Sequence, residues 1–339
     1  MWALGGVAID TASIRRTLFI RTDRLGETLL NLPAIAALKA ALPGASLTVL
    51  VHPELRPLLG GVPVIDDVMG YEQIAEPRWW VRAIRLGRAL RPFHFDLAIV
   101  SNPKKELHAA VWLAGIQWRV GYDRKWGWLL TQRLPDRKAL GERHEVEYNL
   151  DLVQALGLPA TIPPWQYPQL VSEQSHVREL LEQQGIKPSD PFIAVHPWTS
   201  HPYKRWPAER FQALIRQSVD RLGIRVVVVG GPEERPHGQA VVPTDLPVVN
   251  LTGSLTLRQL AALLQRSRLL VSNDSGPVHL AAAVGTSTIT LFGTPDAATG
   301  PRRWGPWGAG HTVIWKASME AITVEEVFEA LRKVLERSK

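Results

Sequence analysis

The feature that most constrains this chain is an alternation, run through twice, of short apolar runs and longer amphipathic segments. In the first pass the spacing predicts strands over 17–21, 47–52, 64–68, 96–101 and 119–122. The intervening helices fall over 27–41, 78–91, 106–114 and 145–156. In the second pass strands are expected over 192–196, 226–229, 248–251, 269–272 and 288–292. Helices there cover 172–184, 208–222, 257–266, 276–284 and 323–335, the last opened by a Thr323-x-x-Glu326 capping box. Strands that alternate with helices specify a parallel sheet covered on both faces. Between the passes Pro159, Pro163, Pro164 and Pro168 crowd a stretch that neither helix nor sheet accommodates. The expected organisation is two doubly wound α/β domains, 1–156 and 172–320, a Pro-rich linker over 157–171 and a C-terminal helix over 321–339. Ligands in such sheets bind beyond the carboxyl ends of the strands, so the expected site is the cleft between the domains. No internal sequence repeat is evident.

Composition narrows the class further. A length of 339 residues suits two domains at roughly 150 residues each. Apolar residues at 45% and charged residues at 21% exclude disorder, collagen-like repeats and a coiled coil as the main architecture. No apolar run approaches the roughly 18 residues of a membrane span. The start, Met1-Trp2-Ala3-Leu4-Gly5-Gly6, has no basic segment before an apolar run, so no secretory signal is expected. Cysteine is absent, which excludes disulfides, thiolate metal sites and cysteine nucleophiles and fits a reducing, cytoplasmic compartment. The ten histidines form no H-x-x-x-H pair beside carboxylates, so no metal site is expected. The G-x-G-x-x-G, P-loop and G-x-S-x-G fingerprints are missing as well.

Charge is distributed unevenly. The whole chain carries +7, yet residues 78–143 hold 14 Lys/Arg against 5 Asp/Glu, a net +9. A local basic surface implies a local anionic partner. Arg78, Arg82, Arg85 and Arg88 recur at helical spacing beside Trp79 and Trp80, and Arg124-Lys125-Trp126-Gly127-Trp128 repeats the theme. Two readings stay open: a solvated helix face with its tryptophans in the core, or a docking surface for an anionic lipid or saccharide. A nucleic-acid partner is not expected, because no nucleic-acid motif accompanies the charge.

Four segments carry candidate chemistry. In Arg21-Thr-Asp23-Arg24-Leu-Gly26-Glu27, a carboxylate stands at a helix start on the sheet edge. Glu27 is there either a general base or a complement to the helix dipole. Asp23 is either an N-cap or a partner of Arg24. In His196-Pro-Trp-Thr199-Ser200-His201-Pro-Tyr-Lys204-Arg-Trp206-Pro207, two hydroxyls and a lysine either hold a diphosphate or line an ordinary polar loop. After the strand at 226–229, Gly230-Gly231-Pro232-Glu233-Glu234 lets the backbone approach a ligand and offers a glutamate to ribose hydroxyls. In Val271-Ser-Asn273-Asp274-Ser275-Gly276-Pro277-Val278-His279, three good N-cap types precede an apolar helix. The Ser275 and Gly276 N–H groups there form an anion site, Asp274 suits sugar hydroxyls, and His279 lies one turn in; the alternative is a capped helix with a buried histidine.

These segments, with Leu291-Phe-Gly-Thr-Pro295-Asp296, resemble in order the motifs of the heptosyltransferase family, glycosyltransferase family 9. The resemblance implies a GT-B fold, two Rossmann-like domains facing across a cleft. It implies an inverting, metal-independent transfer of heptose from ADP-L-glycero-D-manno-heptose to the inner core of lipopolysaccharide. The donor is a substrate, and no cofactor is implied. Glu27 takes the place of the family's catalytic Asp, with one more methylene and so a carboxylate about 1.5 Å further out. Thr199, Ser200 and Lys204 resemble the diphosphate-binding group, Glu233 or Glu234 the ribose contact, and Asp274, Ser275, Gly276 and His279 the donor loop. Asp23, Arg24, Arg82, Arg85, Arg124 and Lys125 are expected to meet an anionic, lipid-linked glycan acceptor at the inner face of the cytoplasmic membrane. The alternatives are a family 9 transferase with another nucleotide sugar or acceptor, and a non-catalytic module that binds sugar nucleotides.

Overall fold

The computed structural model describes residues 9–71 and 76–337. The expectation about a leader rests on residues 1–6 and lies outside the described residues. The chain divides into two compact units, Met1–Trp165 and Gln166–Lys339. That boundary falls in the Pro-rich stretch, where residues 158–170 form no regular element. Among the described residues no helix is long and apolar enough to cross a membrane.

In the first unit β1 (Arg16–Arg21) leads into α1 (Leu25–Leu29) and α2 (Leu32–Ala41). Then follow β2 (Ser46–Val51), α3 (Arg56–Leu59), β3 (Asp67–Gly70), α4 (Trp79–Leu90), β4 (Leu97–Val100), α5 (Lys105–Leu113), β5 (Trp118–Tyr122), β6 (Gln132–Leu134) and α6 (Glu145–Gln154). The single helix expected over 27–41 is therefore two. Pro33 brings no amide N–H to continue a helical ladder, and the chain restarts behind Asn31, whose side-chain amide donates to the Glu27 carbonyl at 2.7 Å. The third strand sits later than expected because the residues around Val62 and Ile65 are used in tight turns, Ile65 N–H to Val62 C=O at 3.0 Å.

The second unit runs α7 (Val171–Gln183), β7 (Phe192–His196), α8 (Ala208–Leu222), β8 (Arg225–Val228), β9 (Val248–Asn250), α9 (Leu257–Arg266) and β10 (Leu269–Asn273). It continues through α10 (Gly276–Ala283), β11 (Ser287–Gly293), α11 (Pro301–Trp304), β12 (His311–Lys316) and α12 (Val324–Arg337). The Thr323–Glu326 capping box forms reciprocally, at 3.1 and 3.2 Å. The C-terminal helix, expected as a separate segment, packs its Val327, Phe328 and Leu331 into one core with Val228, Val271, Leu291, Phe211 and Trp206.

Every strand pairing is parallel. The first sheet has the order β3-β2-β1-β4-β5-β6 and the second β12-β11-β10-β7-β8-β9. Counted from the first strand of each unit, both read 3-2-1-4-5-6, the doubly wound order of dinucleotide-type sheets. The topology thus repeats where the sequence does not. Each sheet reverses its direction of winding between its first and fourth strands, at β1/β4 and at β7/β10. The loops that leave the carboxyl ends of those four strands diverge there and are the ones free to hold a ligand.

Candidate active site

At the first switch point Asp23 and Glu27 follow β1, and Asn102 and Lys104 follow β4. Asp23 is held on three sides: Arg21 Nε at 3.2 Å, Lys104 Nζ at 3.1 Å and Asn102 Nδ2 at 2.9 Å. Burial pushes its carboxyl up, but Arg21 and Lys104 outweigh that and hold it below its ordinary value. The structure therefore assigns Asp23 neither to an N-cap nor to Arg24. Arg24 is exposed at the N-cap position of α1. Glu27 lies half-buried in the first turn of α1, and its carboxylate meets no cation or donor among the described residues. A carboxylate left open at a helix N-terminus is able to accept a proton or a hydroxyl hydrogen bond.

Behind this pair lies a buried polar chain that the sequence motifs do not announce. Arg21 Nη1 approaches Glu145 Oε1 at 3.6 Å and Ser101 Oγ at 3.2 Å. Lys138 Nζ reaches Glu145 Oε1 at 2.6 Å, and the lysine lies over the Tyr122 ring at 4.5 Å. Ser101 Oγ donates to Asn31 Oδ1 at 2.7 Å, and Asn31 in turn holds the Glu27 carbonyl. Asn149 Nδ2 fixes the Leu30 carbonyl at 3.1 Å. The turn that carries Glu27 is thus pinned from α6 and from the end of β4. Partnered polar groups in a low-dielectric interior specify one arrangement, since any other leaves a donor or charge unsatisfied.

The remaining expected acceptor residues divide. Arg82 pairs with Glu106 at 3.2 Å, and Arg124 with Asp136 at 3.3 Å. Arg85 and Lys125 have no ion-paired or hydrogen-bonded side-chain partner among the described residues. The tryptophans divide between the two readings: Trp79 is half-buried against Ala83, Ala109 and Leu129, whereas Trp80, Trp126 and Trp128 are exposed.

At the second switch point the loop after β7 meets the start of α10. Lys204 Nζ binds Asp274 Oδ2 at 2.5 Å, with the aspartate nearly buried. Thr199 Oγ1 donates to the Asp274 carbonyl at 3.3 Å, while Ser200 is exposed. The N-cap expectation fails here. Asn273 instead stitches the two loops together, accepting from Trp206 N–H at 3.1 Å and donating to the Pro197 carbonyl at 2.7 Å. The Ser275 hydroxyl occupies the N-cap position of α10 but turns to Ser272 Oγ at 3.0 Å and His196 Nδ1 at 3.2 Å. With no side chain capping it, the Gly276 N–H stays open at a positive helix end, while Pro277 has no amide hydrogen and the Val278 N–H donates to the Ser275 carbonyl at 3.2 Å. His279 is buried in that helix's first turns.

His196 is the residue that motif reading passed over. It ends β7, is buried, and bonds Ser272 and Ser275, which lie 76 and 79 residues away. Burial pushes its imidazole down to about 4, so it is neutral near pH 7. Of the two glutamates after β8, Glu234 accepts from the Gly231 N–H and so braces its own turn, whereas Glu233 is exposed. Gly230 has a reason to lack a side chain, because a Cβ there would stand 2.6 Å from the indole nitrogen of Trp198. Among the described residues no three His, Asp or Glu gather as a metal cluster would.

The model of glycosyltransferase family 9 (heptosyltransferase) matches residues 83–331. The chain is 25% identical over 302 residues to lipopolysaccharide heptosyltransferase 3 of Escherichia coli, covering 86% of each. Among solved structures, a family 9 glycosyl transferase from Veillonella parvula superposes with a TM-score of 0.86 at 22% identity, over 98% of this chain and 99% of that one. The E. coli ADP-heptose lps heptosyltransferase II superposes with a TM-score of 0.80 at 24% identity, over 95% and 99%. These solved structures share the GT-B fold with this chain.

Proposed function

We infer what the two switch points do from one premise: the chain belongs to glycosyltransferase family 9 and is a glycosyltransferase. The reading is that it moves a heptose from ADP-heptose to the inner core of lipopolysaccharide. Several of its relatives are named lipopolysaccharide heptosyltransferases, and one solved structure is named for ADP-heptose. The observation that carries it is the contrast between Asp23 and Glu27. Asp23 is ion-paired to Arg21 and Lys104 and accepts from Asn102, so it is held as an anion. Glu27, four residues on, is open.

In this reading Glu27 takes the proton from an acceptor hydroxyl as that oxygen attacks the anomeric carbon. The new bond joins acceptor oxygen to C1. The bond that breaks joins C1 to the nucleoside diphosphate, which leaves with the electron pair from the opposite face, so the configuration inverts. Negative charge then grows on the diphosphate. In this reading Lys204 and the Gly276 N–H at the start of α10 stabilise it, which supports a transfer without a divalent ion. Asp274 orients Lys204, and Glu233 is the glutamate left for the ribose. The acceptor is lipid-linked and anionic, and the enzyme works as a peripheral protein at the inner face of the membrane. The test is release of ADP from ADP-heptose in the presence of heptose-free core lipid, with and without a chelator. Turnover that persists in the chelator, and is lost when UDP-, GDP- or dTDP-sugars replace the donor, is expected. Turnover abolished by the chelator overturns the metal-free part, and preference for another nucleotide overturns the donor.

A further inference from the structure

The most unusual surface of the molecule lies on the first unit, at the same sheet edge as Glu27. Trp79 and Trp80 open α4, and Trp126 and Trp128 flank the turn after β5. The ring of Trp126 meets Trp79 edge-on at 4.6 Å and Trp128 at 5.6 Å, so three indoles form one continuous cluster. Trp80 is 48% exposed, Trp126 38% and Trp128 65%. A monomeric soluble protein rarely displays so much aromatic surface in one place without a use for it. The backbone goes out of its way to do so. Lys125 and Trp126 are consecutive non-glycine residues at φ +46° and +70°, and the buried ring of His108 bonds the Lys125 carbonyl at 3.1 Å. Left-handed backbone at such residues is held only where the surroundings over-determine it.

Cations surround the indoles. Arg78 lies over the Trp80 ring at 5.4 Å and Lys105 over Trp79 at 6.0 Å. Arg85, Arg88 and Lys125 have no ion-paired or hydrogen-bonded side-chain partner among the described residues, within the segment that carries +9. Amphipathic rings with a wet N–H and an apolar body, interleaved with Lys and Arg, match the headgroup layer of a bilayer rather than a nucleic acid or an apolar protein face. The patch is also continuous with the candidate acceptor edge. Lys104 binds Asp23 at 3.1 Å, and its neighbour Lys105 already covers Trp79.

We propose that the Trp79–Trp80–Trp126–Trp128 corner inserts into the headgroup region of an anionic bilayer, with Arg85, Arg88 and Lys125 meeting the lipid charge. This deepens the reading of a lipid-linked acceptor: the corner brings the edge that bears Glu27 down onto the membrane in which such an acceptor sits. Docking needs neither acceptor nor donor, so the two ideas fail separately. Full-length protein is sedimented with vesicles of phosphatidylcholine alone, and with vesicles that also contain phosphatidylglycerol, neither holding any glycolipid. The companion is the double variant Trp80→Ala/Trp128→Ala, whose side chains are exposed enough for the fold to survive. Binding to the anionic vesicles, quenching of indole emission by lipids brominated near the headgroup, and about tenfold weaker binding in the double variant are expected. The variant should keep its turnover on a water-soluble, deacylated acceptor. Absence of vesicle binding at low salt, or binding that the double variant leaves intact, overturns the proposal. So does loss of turnover on the soluble acceptor, which would make the corner a saccharide contact. A self-association that the variant abolishes while vesicle binding is absent would make it an interface between copies, and equally ends it.

Discussion

At the β1/β4 switch point five charged side chains pair with one another, and Glu27 stands beside them with no partner among the described residues. At the β7/β10 switch point, in a sheet of identical strand order, the one strong ion pair is Lys204 with Asp274. Beside that pair Arg205 donates to the Thr199 carbonyl at 3.4 Å, and the other groups are neutral: a histidine, two serines, a threonine and the start of α10. One winding has thus been furnished with opposite chemistry. The first point offers a base beside a network in which three cations share two carboxylates. The second offers donors and a lysine to an incoming anion. The comparison teaches that topology locates a site in such a sheet, while the side chains within a few residues of four strand ends decide which charge it receives.

The largest effect should come from removing the open carboxylate. Glu27→Gln keeps the size of the side chain and the bond from Asn31 to the residue 27 carbonyl, yet cannot take a proton. Turnover should fall by about 10²–10⁴-fold with donor affinity little changed, as expected for loss of a general base. Asp23→Asn is the control that breaks the comparison, because its carboxylate is already committed to Arg21 and Lys104. If steady-state rates show Glu27→Gln as active as wild type while Asp23→Asn has lost its turnover, the roles are reversed and the first switch point has been misread.

The next effect belongs to the other unit. Lys204→Met removes the cation placed for the leaving diphosphate and leaves Asp274 without it. About a 10²–10³-fold drop in kcat is expected, the magnitude seen when one preorganised donor to developing charge is lost. The donor KM should change less than kcat if the lysine acts mainly as the charge develops. Asp274→Asn retains Lys204 but releases its tether, so it should cost less. Rates for the two variants, with thermal melting to confirm that each folds, separate charge from orientation. Equal losses would mean that the pair acts only as a structural clamp.

The fold was legible because buried parallel strands read as apolar runs, and Leu18–Ile20, Leu97–Val100 and Val226–Val228 are such runs. The edge strands β6 and β12 were not, since their residues are mostly half-exposed and give no such signal. Glu27, Lys204 and Asp274 stood out as local patterns at strand ends. The groups that set their surroundings did not: Arg21 finds Ser101 at a separation of 80 residues, Asn149 finds Leu30 at 119, and His196 finds Ser275 at 79. Spacing arguments see a helix face or a turn, and contacts made by the winding of a sheet lie outside their reach. The N-cap expectation at α10 failed for the same reason. Asn273 and Ser275 have the right chemistry for a cap, but loops brought in from β7 compete for it and win.

The smallest effect also distinguishes the switch points, by pH. His196 falls from an ordinary 6.5 to about 4 in the folded protein because burial disfavours the imidazolium. An unfolded chain takes up this proton near 6.5 and the folded one only near 4. The His196 contribution is therefore complete above pH 6.5, declines as pH drops through that window, and is gone below about 4. It amounts to about 3 kcal/mol between the two ends. Asp23 moves the other way. Its folded carboxyl lies below the ordinary 3.8, so the stability it supplies is present above that value and is lost only as pH falls through its lower folded one. Between pH 6.5 and 4 the second switch point should weaken while the first holds. Urea midpoints across that range should slope downward in wild type, and His196→Asn should remove part of the slope. Burial also lowers His108 and His311, so the difference between the two proteins, rather than the wild-type slope, isolates His196. Parallel slopes would show that His196 takes up its proton at the same pH folded and unfolded, and the second switch point would then carry a positive charge in mild acid.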